Sequence, residues 1–163
     1  MRLRLLIIYL MCALGASAEV VEYFSCDFSG GLPQGCTTVD RDQQPLHFTM
    51  VQAGFDQGDA WRAFNNTHGT YAASPARHKK VSGQDILPAD DWMILPVVSI
   101  MASDATLTWR ATTMAESLDN GASYQIRVST EGNTPECFTD SPLATVTAES
   151  LNTWTSHSVS LGQ

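Results

Sequence analysis

The sequence predicts an all-β chain, folded as a jelly-roll-type antiparallel β-sandwich. Three observations point there. Apolar residues recur at every second position in several short segments, clusters of Gly, Pro, Asn and Asp separate those segments, and no segment carries a sustained helical stripe.

Near the N-terminus, Phe24, Cys26 and Phe28 share one face, with Ser25 and Asp27 on the other. LHFTMV alternates from Leu46 to Val51 and reads as a further strand. DDWMILPVVSI starts a strand at Asp90-Asp91 and runs on from Trp92 as an apolar stretch. In ATLTWRA, Leu107, Trp109 and Ala111 face one way and Thr106, Thr108 and Arg110 the other. SYQIRVS sets Tyr124, Ile126 and Val128 inward against Gln125 and Arg127, and WTSHSVSL puts His157, Val159 and Leu161 on one face. Half-buried antiparallel strands have this period. Turns fall at GFDQGD, DNGAS and EGNTPE, while TMAESL is too short to count as a helix. The last strand signal ends at Leu161, just before the chain stops, which leaves an edge of the kind soluble β proteins avoid. The sandwich therefore reads as lacking its last strand or strands.

Residues 1–18, MRLRLLIIYLMCALGASA, have two arginines, an apolar run and a small-residue end, which is the build of a cleavable secretory signal peptide. The run falls short of the roughly 20 apolar residues that span a bilayer, so no membrane span is expected. Cleavage leaves one domain, residues 19–163, secreted or at the cell surface. With Arg2 and Arg4 gone, 7 basic residues face 17 acidic ones, a balance of −10. Nucleic acid is a poor partner for such a chain, because phosphate neutralisation dominates that binding. The one basic cluster, RHKK at 77–80, reads as a solvated loop.

Cys12 leaves with the leader, so Cys26, Cys36 and Cys137 remain. In an oxidising compartment the near pair, Cys26 and Cys36, is expected to bridge around a Gly/Pro turn, contributing roughly 2.5–3 kcal/mol. Cys137 is left to be buried, to pair with another chain, or to compete for either partner. No neighbouring His supports a catalytic thiol there.

Taken together, FSCDFSGGLPQGCTTVD, DDWMILPVVSI, ATLTWRA, SYQIRVSTEGNTPECF and NTWTSHSVSL resemble the cleaved-adhesin, or choice-of-anchor J, domains of secreted bacterial surface proteins. These include the adhesin domains attached to gingipain proteases. The opening also echoes the eukaryotic MAM domain through Cys26-Asp27-Phe28 and Cys36. The resemblance implies a β-sandwich of adhesive function. It departs from the family in three places. Cys36 stands where a Trp is usual, the acidic D-x-D-G-D-G loop is reduced to DRDQQ, and the strand that follows the final Leu in relatives is missing.

Carboxylates at strand ends and turns, Glu22, Asp27, Asp40, Asp42, Asp90 and Asp91, are the candidate ligands for a hard cation. The resemblance implies a structural calcium beside the N-terminal strand, held by Asp27, Asp40 and Asp91. Asp90 and Asp91 are adjacent on a strand and point to opposite faces, so they cannot flank one glycosidic bond. No G-x-S-x-G elbow or H-E-x-x-H is present, and His47, His68, His78 and His157 lack ligand spacing. No catalytic residues are therefore assigned. Among the tryptophans, Trp92 and Trp109 read as core, and Trp61 in GDAWRAF is the exposed candidate for stacking on a ligand. Asn65-Asn66-Thr67 fits a glycosylation sequon. The expectation is a non-catalytic adhesion or binding module that recognises host or extracellular protein or glycan. The alternative is an accessory domain of a secreted peptidase or glycoside hydrolase whose catalytic part lies elsewhere.

Overall fold

Trp109 shows how the fold is organised: it is 2% exposed at the centre of a strand whose other inward residues, Leu107 and Ala111, are also buried. The computed structural model describes residues 2–4 (backbone only), 21–75, 78–79, 89–113 and 123–162. The chain is all-β, with one five-residue α-helix and one 3-10 turn among the described residues. The chain divides into two compact units. Unit 1 comprises Met1–Asp27, Val97–Ser129 and Thr139–Gln163, and unit 2 comprises Phe28–Pro96 and Thr130–Phe138.

In unit 1, β6 (Thr106–Ala111) lies between β1 (Arg2–Arg4) and β9 (Thr155–Ser160), both antiparallel to it. The register sets Trp109 opposite His157, and β9 alternates half-buried and exposed along its length. A second pair joins β7 (Tyr124–Ile126) to β8 (Ala144–Val146). A polar network is buried in this unit. The Trp109 indole N–H donates to the Tyr124 hydroxyl at 2.8 Å, and that hydroxyl donates to Glu149 Oε1 at 3.4 Å. His157 stacks on Trp109 with ring centroids 5.2 Å apart, and its Nε2 lies 2.7 Å from Glu149 Oε1. The two atoms meet without hydrogen-bond alignment, and Glu149 Oε2 has no hydrogen-bond partner among the described residues although its side chain is only 3% exposed. Burial pushes the Tyr124 hydroxyl up to about 12, the Trp109 N–H opposes this, and the Glu149 carboxylate adds to it.

Unit 2 pairs β2 (Thr37–Asp40) with β5 (Asp91–Ile94), and β3 (Arg62–Asn66) with β4 (Gly69–Ala73). Its core holds Phe28, Leu46, Phe55, Tyr71 and Ile94. Phe64 links two of these rings, edge-on to Phe55 at 5.0 Å and stacked on Tyr71 at 5.7 Å. Large side chains buried this way contribute on the order of 1.5–3 kcal/mol each.

The strand expected over Leu46–Val51 is instead the helix α1 (Phe48–Gln52). His47 caps it from an extended backbone, its ring Nδ1 accepting from the Thr49 N–H at 3.4 Å, and Gly54 closes the turn at φ +101°. The alternation misled because only Leu46 is buried there; Phe48 is 63% exposed and Val51 45%. The Phe24–Phe28 segment forms a single bridge at Ser25 and no strand, yet its burial alternates as expected, with Ser25 and Asp27 outside. β5 stops at Ile94, before Pro96, and the rest of the apolar run through Ile100 makes no ladder. The leader residues 5–18 and most of TMAESL lie outside the described residues. No helix among the described residues is long and apolar enough to cross a membrane.

Candidate functional site

The chemistry-bearing groups of unit 2 come together because of one register. In the β2–β5 ladder, Asp40 is the Cα partner of Asp91. The chain then turns at Arg41-Asp42, where the Arg41 N–H donates to the Asp90 carbonyl at 3.1 Å. This brings carboxylate oxygens of Asp40, Asp42 and Asp91 within 4.8 Å of one another, each residue half-buried.

Each acid has a defined set of donors. Asp40 accepts from the Gln43 N–H at 2.7 Å, and Asp42 accepts from the N–H groups of Gln44 at 2.8 Å and Asp90 at 2.6 Å. Asp91 accepts from the Ser74 hydroxyl at 2.8 Å. Burial raises Asp42, but the Asp90 and Gln44 N–H groups outweigh it and hold the carboxyl below its ordinary range. For Asp91, burial is the leading cause of a rise to about 7, the Ser74 hydroxyl opposes it, and the charges of Asp42, Asp40 and Asp90 add to it. Three converging acids on hard oxygen donors suit a cation such as calcium, which accepts irregular oxygen shells.

The group differs from the expected ligand set. It contains Asp40 and Asp91 but not Asp27, an exposed residue of unit 1, and it includes Asp42. Asp90 is turned to other work, its carboxylate accepting from the Trp92 indole N–H at 2.6 Å and standing 3.7 Å from Arg41.

Trp61 is half-buried, and its indole N–H donates to the Asp91 carbonyl at 3.3 Å, so it braces the strand that carries Asp91. The aromatic side chain that unit 2 leaves open is Phe48. It lines an open groove of about 680 Å³ with Leu46 and Val51 on its apolar side and Gln52, Gln57 and Lys79 supplying polar groups. Gln57 is held in place by paired contacts to Leu46, its Oε1 accepting from the N–H at 2.9 Å and its Nε2 donating to the carbonyl at 3.4 Å.

Among the described residues the expected Cys26–Cys36 disulfide is not formed, and Cys137 is in no disulfide either. Cys26 belongs to unit 1, and Cys36 and Cys137 to unit 2. Cys137 closes a 3-10 turn (Pro135–Cys137), its sulfur 3.5 Å from the Thr134 hydroxyl.

Compared with family models, curated proteins and solved structures, the chain gives no match. The cleaved-adhesin resemblance therefore rests on the motifs themselves.

Proposed function

We propose that this protein is a secreted or cell-surface module of cleaved-adhesin type that binds an extracellular protein or glycan and catalyses no reaction. The observation that carries the reading is the groove beside α1. An aromatic ring left 63% exposed over an apolar floor, with a cation and two side-chain amides alongside, is a surface for a ligand of mixed polarity. A structural calcium belongs to the same reading. Asp40, Asp42 and Asp91 would hold it, and its charge would offset the mutual repulsion of three acids gathered at one end of the β2–β5 pair.

The test is a screen of the secreted protein against a glycan array and a panel of matrix proteins, repeated with Phe48→Ala. A hit whose affinity falls by about tenfold or more in the variant, with unchanged thermal stability, supports the groove. Absence of binding to both ligand classes counts against the module reading. A hit indifferent to Phe48→Ala moves the contact off α1.

A further inference from the structure

The groove beside α1 lies within unit 2 and has an apolar side formed by Leu46, Phe48 and Val51. Its polar side is unevenly committed. Gln57 uses both ends of its amide on the Leu46 backbone, whereas the Gln52 and Lys79 side chains have no partner among the described residues. The Lys79 backbone is pinned there, its N–H donating to the Pro45 carbonyl at 2.7 Å while His78 bridges Leu46. No lining residue is acidic, in a chain with 17 acidic residues against 9 basic ones. Asp56 and Asp59, the acids nearest Gln57 in sequence, are both taken by Arg62, at 2.6 and 3.3 Å. Lys79 therefore stands beside an apolar groove as a cation that no described carboxylate neutralises.

We propose, resting on the binding-module reading above, that the groove receives a polypeptide segment carrying a large apolar side chain close to a carboxylate. The apolar side chain lies against Phe48, Leu46 and Val51, and the carboxylate meets Lys79 in a charge-assisted hydrogen bond. A glycan suits the groove less well. Besides a stacking face, a sugar needs several directional hydrogen bonds, and with Gln57 committed the groove supplies few. The chain's overall negative charge does not forbid an acidic segment. At physiological ionic strength exposed charges more than about 8 Å apart are largely screened, so the adjacent cation sets the preference.

The experiment pans the secreted protein against a random dodecapeptide display library and measures the enriched peptides by fluorescence polarisation on wild type, Phe48→Ala and Lys79→Glu. Both positions are exposed, and unchanged thermal melting verifies that each variant is folded. The expected peptides have Asp or Glu within a few residues of Leu, Ile, Met or Phe, and bind each variant about tenfold or more weakly. Panning Lys79→Glu afresh is expected to exchange the acidic preference for Lys or Arg. Peptides indifferent to either substitution, or a library that enriches nothing, overturn the proposal. Peptides lost in Phe48→Ala but unmoved by Lys79→Glu, or a glycan-array hit sensitive to Phe48→Ala with no peptide enriched, overturn the acidic–apolar occupant and leave the binding module standing. With no peptide and no glycan or matrix-protein hit, both fall together.

Discussion

Glu149 and His157 show what a single buried pair demands. In unit 1 a carboxyl whose side chain is 3% exposed has two polar neighbours, His157 Nε2 at 2.7 Å and the Tyr124 hydroxyl, which donates to it. Removing one partner of such a pair strands the other, which costs about 3 kcal/mol, whereas replacing both with apolar groups is close to neutral. His157→Leu is accordingly expected to lower unfolding free energy by about that much in urea denaturation, and adding Glu149→Leu to restore most of it. The sequence placed His157 on one face with Val159 and Leu161. Glu149 was not legible, because one acid in a turn before a strand carries no periodic mark.

Asp91 makes a second prediction at the same scale. Its carboxyl is raised from 3.8 to about 7, so between those values the folded chain holds a proton that the unfolded chain has released. Without divalent cation, stability should therefore fall as pH rises from about 4 to about 7 and level off above that, and Asp91→Asn should flatten the slope. Calcium needs the ionised acid, so its stabilising effect should be larger at pH 8 than at pH 5.5, and chelator should abolish it. Thermal melts across this range, with and without calcium, check both statements. Equal melting with calcium and with chelator at pH 8 would remove the ion from the account.

Among the elements, β6 and β9 could be read directly from period-2 patterns, because alternate residues are buried in β6 and half-buried in β9, with more exposed ones between. The segment Leu46–Val51 has the same pattern and is a helix, since a histidine cap and a glycine stop outweigh an alternation that buries little. The β3–β4 hairpin escaped notice because Arg62–Asn66 mixes Ala and Asn into a strand with no period-2 burial, its first three residues all half-buried and its last two exposed. Gly54 tests the helix stop. Its φ is +101°, and an added Cβ would sit 3.3 Å from the Phe64 ring, so Gly54→Ala should cost about 1–2 kcal/mol. Gly58→Ala shares the positive φ (+88°) but meets open space and should cost less. Urea denaturation of the two variants gives the comparison.

For the molecule as a whole, the all-β class was legible because it needs only the period of the apolar residues. The acid group was half legible. Asp40 and Asp91 were singled out, but their meeting depends on the β2–β5 register, and Asp42 joins them through a turn whose hydrogen bonds no spacing rule announces. Trp61, the aromatic singled out for stacking, is half-buried while Phe48 is 63% exposed, because exposure depends on which aromatic the neighbouring strands cover, a tertiary matter.

The most direct measurement is hydrogen exchange on the secreted protein, free and with a ligand from the binding screen. Slowed exchange over α1, at the amides of Thr49–Gln52 and Leu46, is the result expected if the groove is the contact surface. Slowed exchange elsewhere, with α1 unchanged at saturating ligand, would contradict it.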